Sequence, residues 1–299
     1  MRSIQRKISS GVGTDNRSGL SRARQDVSQG SPVPFSLPLS TVTRNHCTTD
    51  LDGPGGRSLA VLGAAGVVGT ITRAALAGRY EITGLDTAQT GPGGESPWWS
   101  LGSITDRQAV LRTLTGCDYA LLTATGAKAG WDGLKTVEIE GTRIVCEAAA
   151  EARLRRLVVV SSNHVTGMTE VDRWEGLPTA ASSPQDPVRP DGLYASCKAF
   201  VEAVARTTSE VSGLRVSVLR LGAMRLLDDP DRAEDGPHPP GQGDADYRRR
   251  MRSVWMPHDL WAKVLMEELM STETFRLRYA SRSDAGTPWT PQVLAWNYP

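Results

Sequence analysis

Metal and disulfide chemistry have little to work with in this chain. It holds four cysteines, Cys47, Cys117, Cys146 and Cys197, and four dispersed histidines. No cysteines stand in C-x-x-C spacing, so neither a zinc site nor a disulfide framework is expected. That usage fits a reducing compartment, and with it a cytoplasmic location. The net charge is only +1, which offers no broad field to nucleic acid or to a membrane surface. No apolar run reaches the roughly 18 residues that a spanning helix needs. What is present, 39% hydrophobic and 22% charged residues, is the ordinary balance of a soluble globular protein.

Two parts differ in texture. Residues 1–57 are rich in Ser, Thr, Arg, Gly and Pro without sustained periodicity, which predicts a disordered N-terminal extension. Its basic start (Arg2, Arg6, Lys7, Arg17, Arg22 and Arg24 against Asp15) suits a transit peptide. A floppy extension or a start codon placed too far upstream is the preferred reading of the same composition. From residue 58 to 299 the pattern predicts one α/β domain. "SLAVL", "YEITGLD", "CDYALLTA", "RLVVVSS", "LRVSVLRLG" and "FRLRYAS" read as strands. "ITRAALAG", "TDRQAVLRTLTG", a long segment over 131–152, residues 194–210 and "MPHDLWAKVLMEELM" read as helices. The alternation predicts a Rossmann-type, doubly wound parallel sheet, with a small substrate-binding portion over 227–299. Residues 227–247, dense in Pro, Gly and Asp, form a long loop, either a substrate lid or a tolerated insertion.

The first strand runs into "GAAGVVG". Gly63, Gly66 and Gly69 give G-x-x-G-x-x-G between strand and helix. Such a turn lets backbone approach a pyrophosphate, which meets the N–H groups of the helix start at Val67 and Val68. Asp86 closes the second strand, where a carboxylate accepts hydrogen bonds from ribose hydroxyls and repels a 2′-phosphate. The cofactor implied is NAD.

Tyr194 and Lys198 stand four apart after the turn-forming Pro190-Asp191-Gly192. On a helix they share a face. An ammonium near a phenol stabilises the phenolate, which then serves as a general base. Taken alone the spacing also suits a solvated helix. Following a dinucleotide turn and a "VVVSSNH" strand end, it points to catalysis, because ligands of open α/β sheets sit at strand C-termini. Ser162 supplies a hydroxyl to orient the reacting oxygen. Asn163 and His164 are candidates for further substrate hydroxyls, His164 being equally readable as a structural polar residue.

Together these residues resemble the extended short-chain dehydrogenase/reductase superfamily (the NAD-dependent epimerase/dehydratase family) over about residues 58–298. More narrowly, "SSNHVTG", "RPDGLYASCKAF" and "RMRSVWMPHDLW" are similar to the NAD-dependent uronate dehydrogenases. The resemblance implies cofactor contacts at Ile104, Ala124, Thr125 and Lys198, and a substrate carboxylate held by Arg250. It implies oxidation of C1 of a cyclic uronic acid to a lactone, and leaves homo-oligomerisation open. Read without the resemblance, "YRRRMR" is a basic solvated stretch. The chain also departs from the family's pattern. Ser103-Ile104 replaces an Asp-Leu pair near the adenine. Ala127 falls at a substrate serine, with Lys128 beside it. Glu138 falls near a helix asparagine, and Cys197 replaces the serine before the lysine. Two other functions compete. A nucleotide-sugar epimerase or dehydratase needs a larger C-terminal region than the fewer than 80 residues after Arg220. A non-catalytic dinucleotide sensor has no need of the Tyr/Lys/Ser set.

Overall fold

A computed structural model describes residues 57–92, 94, 97–232, 244–282 and 288–297. The expected N-terminal extension lies outside these residues except for Arg57, as does Cys47. The architecture is one eight-stranded sheet flanked by helices, in the strand order β3-β2-β1-β4-β5-β6-β7-β8. The strands are β1 (Ser58–Leu62), β2 (Glu81–Asp86), β3 (Ser100–Leu101), β4 (Tyr119–Leu122), β5 (Arg156–Ser162), β6 (Val216–Leu221), β7 (Phe275–Ala280) and β8 (Val293–Trp296). All neighbours pair in parallel except β7 and β8. The chain reverses its direction of travel across the sheet between β1 and β4, and the crevice above that point is where such sheets bind ligands.

Apolar strands are explained by the two cores they serve. In β1, Ala60 and Leu62 point into one cluster while Leu59 and Val61 point into the other. In β5 the same split separates Leu157 and Val159 from Val158 and Val160. Helices α2 (Arg107–Leu114), α4 (Thr142–Glu151) and α6 (Leu193–Ser212) cover the first face. Helices α1 (Val67–Leu76) and α8 (His258–Met270) cover the second, where Trp261 donates its indole N–H to Thr72 at 2.9 Å. A strand buried on both faces has no solvated side for polar residues, so those it keeps are paired: Arg220 of β6 with Glu202, and Arg276 of β7 with Glu268.

Three features differ from the sequence expectation. The segment 131–152 is not one regular helix. It comprises α3 (Gly130–Leu134), a π-helical turn over Lys135–Gly141, and α4. Helix α5 (Gly167–Trp174) and the antiparallel β8 were not anticipated. The expected loop 227–247 ends in α7 (Asp244–Val254). Tyr247, Met251 and Val254, four and three residues apart, pack that helix on Tyr279 and Trp289. Tertiary burial of this stripe outweighs the polar composition around it.

Candidate active site

The glycine turn follows β1. Gly63 has φ +99, and a Cβ there would stand 2.4 Å from the Ala124 backbone nitrogen. At Gly69 a Cβ would stand 2.6 Å from the carbonyl oxygens of both Gly63 and Ala64. Glycine is thus required for the backbone of the turn to lie against the end of β4. Gly66 is the N-cap of α1 and no side chain caps it, so the first N–H groups at Val67 and Val68 face the turn without side-chain acceptors. An anion such as a pyrophosphate fits that need. Asp86 lies beside it. Its Oδ2 accepts from Ala65 N and its Oδ1 from Ala88 N, both at 2.9 Å. These bonds fix the carboxylate at the mouth of the turn, each oxygen keeping a further lone pair for a ribose hydroxyl. The structure therefore fits a dinucleotide at the expected glycines. Ala124 closes on the turn through its N–H to Leu62 O at 3.0 Å. Ile104 is buried in the first core cluster, its side chain against Gly141.

The second group gathers at the C-terminal end of β5 and the start of α6. Ser162 caps the 3-10 turn Asn163–Thr166, its Oγ accepting from His164 N at 3.2 Å. Asn163 is buried, and its Nδ2 has no hydrogen-bond partner among the described residues. A buried unpaired donor costs about 1–3 kcal/mol, which a bound acceptor recovers. His164 Nδ1 lies 2.6 Å from Asp191 Oδ2, and its ring meets that of Tyr194 edge-on at 6.2 Å. Asp191 also touches Gly167, where a Cβ would stand 2.1 Å from its Oδ2. The Pro-Asp-Gly turn is thereby docked on the segment that carries His164.

Tyr194 is half-buried, one turn before Lys198, which is 4% exposed. The Lys198 ammonium stands 5.8 Å from the Tyr194 ring centre and donates to Val160 O at 3.1 Å. On its other side is Glu138, 3.8 Å away. Beneath them, Glu202 binds Arg220 with two 2.9 Å bonds and accepts from Ser161 Oγ at 2.7 Å. Burial disfavours the Arg220 cation, but the Glu202 bonds outweigh it and its pKa is raised. Burial, reinforced by Glu138 and opposed by Lys198, pushes the Cys197 thiol up.

Arg250, on α7, is buried and held side-on by Glu170 of α5, through Nε to Oε1 and Nη2 to Oε2 at 3.0 Å. The sequence expectation gave this guanidinium to a substrate carboxylate; the structure gives it a counter-charge from within the chain. Asp191 and Glu170 were missing from the expected site, and Glu138 entered only as a departure at the family's helix asparagine, with no role given to it. Asp191 stood within the quoted motif, so a short acid next to a predicted catalytic helix was the available signal. Glu138 and Glu170 find their partners only through tertiary folding, 60 and 80 residues away.

The NAD dependent epimerase/dehydratase family model matches residues 59–225. An L-arabinose 1-dehydrogenase (NAD(P)(+)) of Haloferax volcanii is 32% identical over 205 residues, spanning 66% of this chain and 76% of that protein. A uronate dehydrogenase of Agrobacterium fabrum is 29% identical over 211 residues, 70% of each. The crystal structure of uronate dehydrogenase from Agrobacterium tumefaciens superposes with a TM-score of 0.61 at 24% identity, over 79% of this chain and 80% of that one. With a matching family model over most of the sheet and the glycine turn, Tyr194 and Lys198 in place, the chain belongs to the NAD dependent epimerase/dehydratase family.

Proposed function

We propose that this NAD-dependent dehydrogenase oxidises the anomeric C1 hydroxyl of a cyclic sugar, giving a lactone. The observation that carries the reading is the convergence of Ser162, Tyr194 and Lys198 at the strand ends next to the glycine turn. Ser162 Oγ holds the substrate hydroxyl, and the Tyr194 oxygen takes its proton. The Lys198 ammonium favours the phenolate by charge. Gly63, Gly66, Gly69 and the Val67–Val68 N–H groups hold the pyrophosphate, and Asp86 the adenosine ribose. Bound NAD supplies the acceptor for the hydride that leaves C1. Asn163 Nδ2 donates to a sugar oxygen. With Nδ1 held by Asp191, His164 uses Nε2 for a second sugar hydroxyl. Holding the sugar at several points fixes which carbon reacts.

Two sugar classes fit. A uronic acid is supported by the motif resemblance and by the similarity to uronate dehydrogenases, with Arg250 as the carboxylate's partner. A neutral aldose is supported by the Arg250–Glu170 pair, because an incoming carboxylate meets a guanidinium already neutralised. The similarity to an L-arabinose 1-dehydrogenase supports the same side. The neutral aldose is the better-supported substrate.

The test is NADH formation by the purified protein with L-arabinose, D-galactose, D-galacturonate and D-glucuronate. Turnover is expected, higher on the neutral sugars, and about 10²–10⁴-fold lower in Tyr194→Phe. Tight NAD binding with no turnover on any of them would refute the reading.

A further inference from the structure

We propose that Glu138 is a positioning residue for proton transfer, tethering Lys198 to the end of β4 and tempering the charge that its ammonium offers Tyr194. This rests on the reading of Tyr194 as the base. The side chain of Glu138 is fully buried, a place where a carboxylate needs partners. It has three. Thr125 Oγ1 donates to Oε1 at 2.6 Å, Gly126 N reaches both oxygens at 3.3 and 3.2 Å, and Lys198 Nζ lies 3.8 Å from Oε1. One carboxylate thus joins the loop after β4, beside the glycine turn, to the ammonium on α6.

The backbone around it is specialised. Glu138 sits in the π-helical turn Lys135–Gly141. Such a turn winds in an extra residue, and side chains beyond it change face. The same turn leaves Lys135 and Glu140 exposed, bonded to Asp132 and Arg143. Lys128, on the 3-10 turn after β4, is also exposed. The ionisable groups of α6 that face Glu138 are Lys198 and Cys197, the latter's thiol held up by burial and by Glu138 itself. One turn further along α6, Glu202 is neutralised by Arg220.

Lys198 is therefore held from two sides, by the Val160 carbonyl and by the Glu138 carboxylate. The tether fixes where the ammonium stands relative to Tyr194. The negative charge also cancels part of the ammonium's field at the phenol oxygen, since the interaction falls only as the inverse of distance in a buried site. A neutral amide in its place keeps the hydrogen bond from Thr125 and leaves a dipole toward Lys198, loses the ion pair, and restores the full field.

The experiment is a titration of the tyrosinate ultraviolet band in the folded protein, with Tyr194→Phe identifying the Tyr194 component. In Glu138→Gln that component is expected to move to lower pH. The rising limb of the kcat/KM–pH profile, on whichever sugar turns over, moves with it. Glu138→Ala removes the tether as well, and is expected to lower kcat about 10–100-fold with KM within about threefold, most of kcat returning in Glu138→Gln. An unmoved or raised Tyr194 component in Glu138→Gln overturns the proposal. If Glu138→Gln does not fold, Glu138→Asn replaces it; failure of both to fold overturns the proposal in favour of a purely structural role. Full activity in Tyr194→Phe would sink the base assignment alone, and the titration would still report the charge effect.

Discussion

Replacing Glu170 by Gln separates the two sugar classes by their charge. In the native pair both side chains are about nine-tenths buried, so salt and water screen the contact little. The exchange removes the carboxylate and keeps the shape. Arg250 is left with a neutral acceptor and a full positive charge. If its guanidinium borders the sugar site, an acidic substrate gains a charge-assisted hydrogen bond, worth about 1.5–3 kcal/mol net. That is roughly a 10- to 150-fold rise in the kcat/KM ratio of galacturonate to L-arabinose. The absolute rates are a poor readout, because opening a buried ion pair costs up to about 3–5 kcal/mol of stability when a charge is stranded. The ratio is immune to this, since both substrates sample the same folded fraction in one preparation. An unchanged ratio, with both rates falling together, would place Arg250 and Glu170 outside substrate recognition. The preference for neutral sugars would then need another cause.

Two further outcomes follow from the geometry. Gly63→Ala forces a side chain into a left-handed backbone and against Ala124, so NAD affinity by calorimetric titration should fall about tenfold or more; undiminished affinity would mean that the turn does not form the cofactor cradle. Glu202→Ala strands the Arg220 charge and should cost about 3–5 kcal/mol in urea unfolding, whereas the double change Glu202→Leu with Arg220→Met should recover most of it; a double variant no better than the single would show that packing rather than charge is at stake.

Most of the sheet could be read from the chain because β1, β4 and the middle of β5 are short apolar runs left unbroken by burial on both faces, and β2 and β6, though interrupted by polar residues, alternate with helical segments. The glycine turn was legible because its requirement is local: Gly63 needs a backbone that other residues resist. Tyr194 and Lys198 were legible because helix geometry brings them together. What escaped was set by long-range contact. Helix α7 has a polar composition and is fixed by three side chains against β7 and Trp289, so its start at Asp244 was lost in a stretch of Pro and Gly. The electrostatics of the site escaped for the same reason. Residues 137–139 read as ordinary helix, and nothing local announces that the middle acid turns inward to meet a lysine on another helix.

The extra residue in the Lys135–Gly141 turn also fixes the length of this part of the chain. Each residue of an α-helix advances the azimuth by about 100°. A single deletion here would let the coil close into ordinary winding with the flanking segments still in phase, whereas one further insertion, with no bulge to take it up, would rotate everything downstream by that angle. Ile144, Val145, Ala148 and Ala149, now against the sheet, would swing toward water while Arg143 and Glu147 swung in. Substitutions in this stretch are thus a matter of chemistry, but its residue count is a matter of the whole layer's alignment.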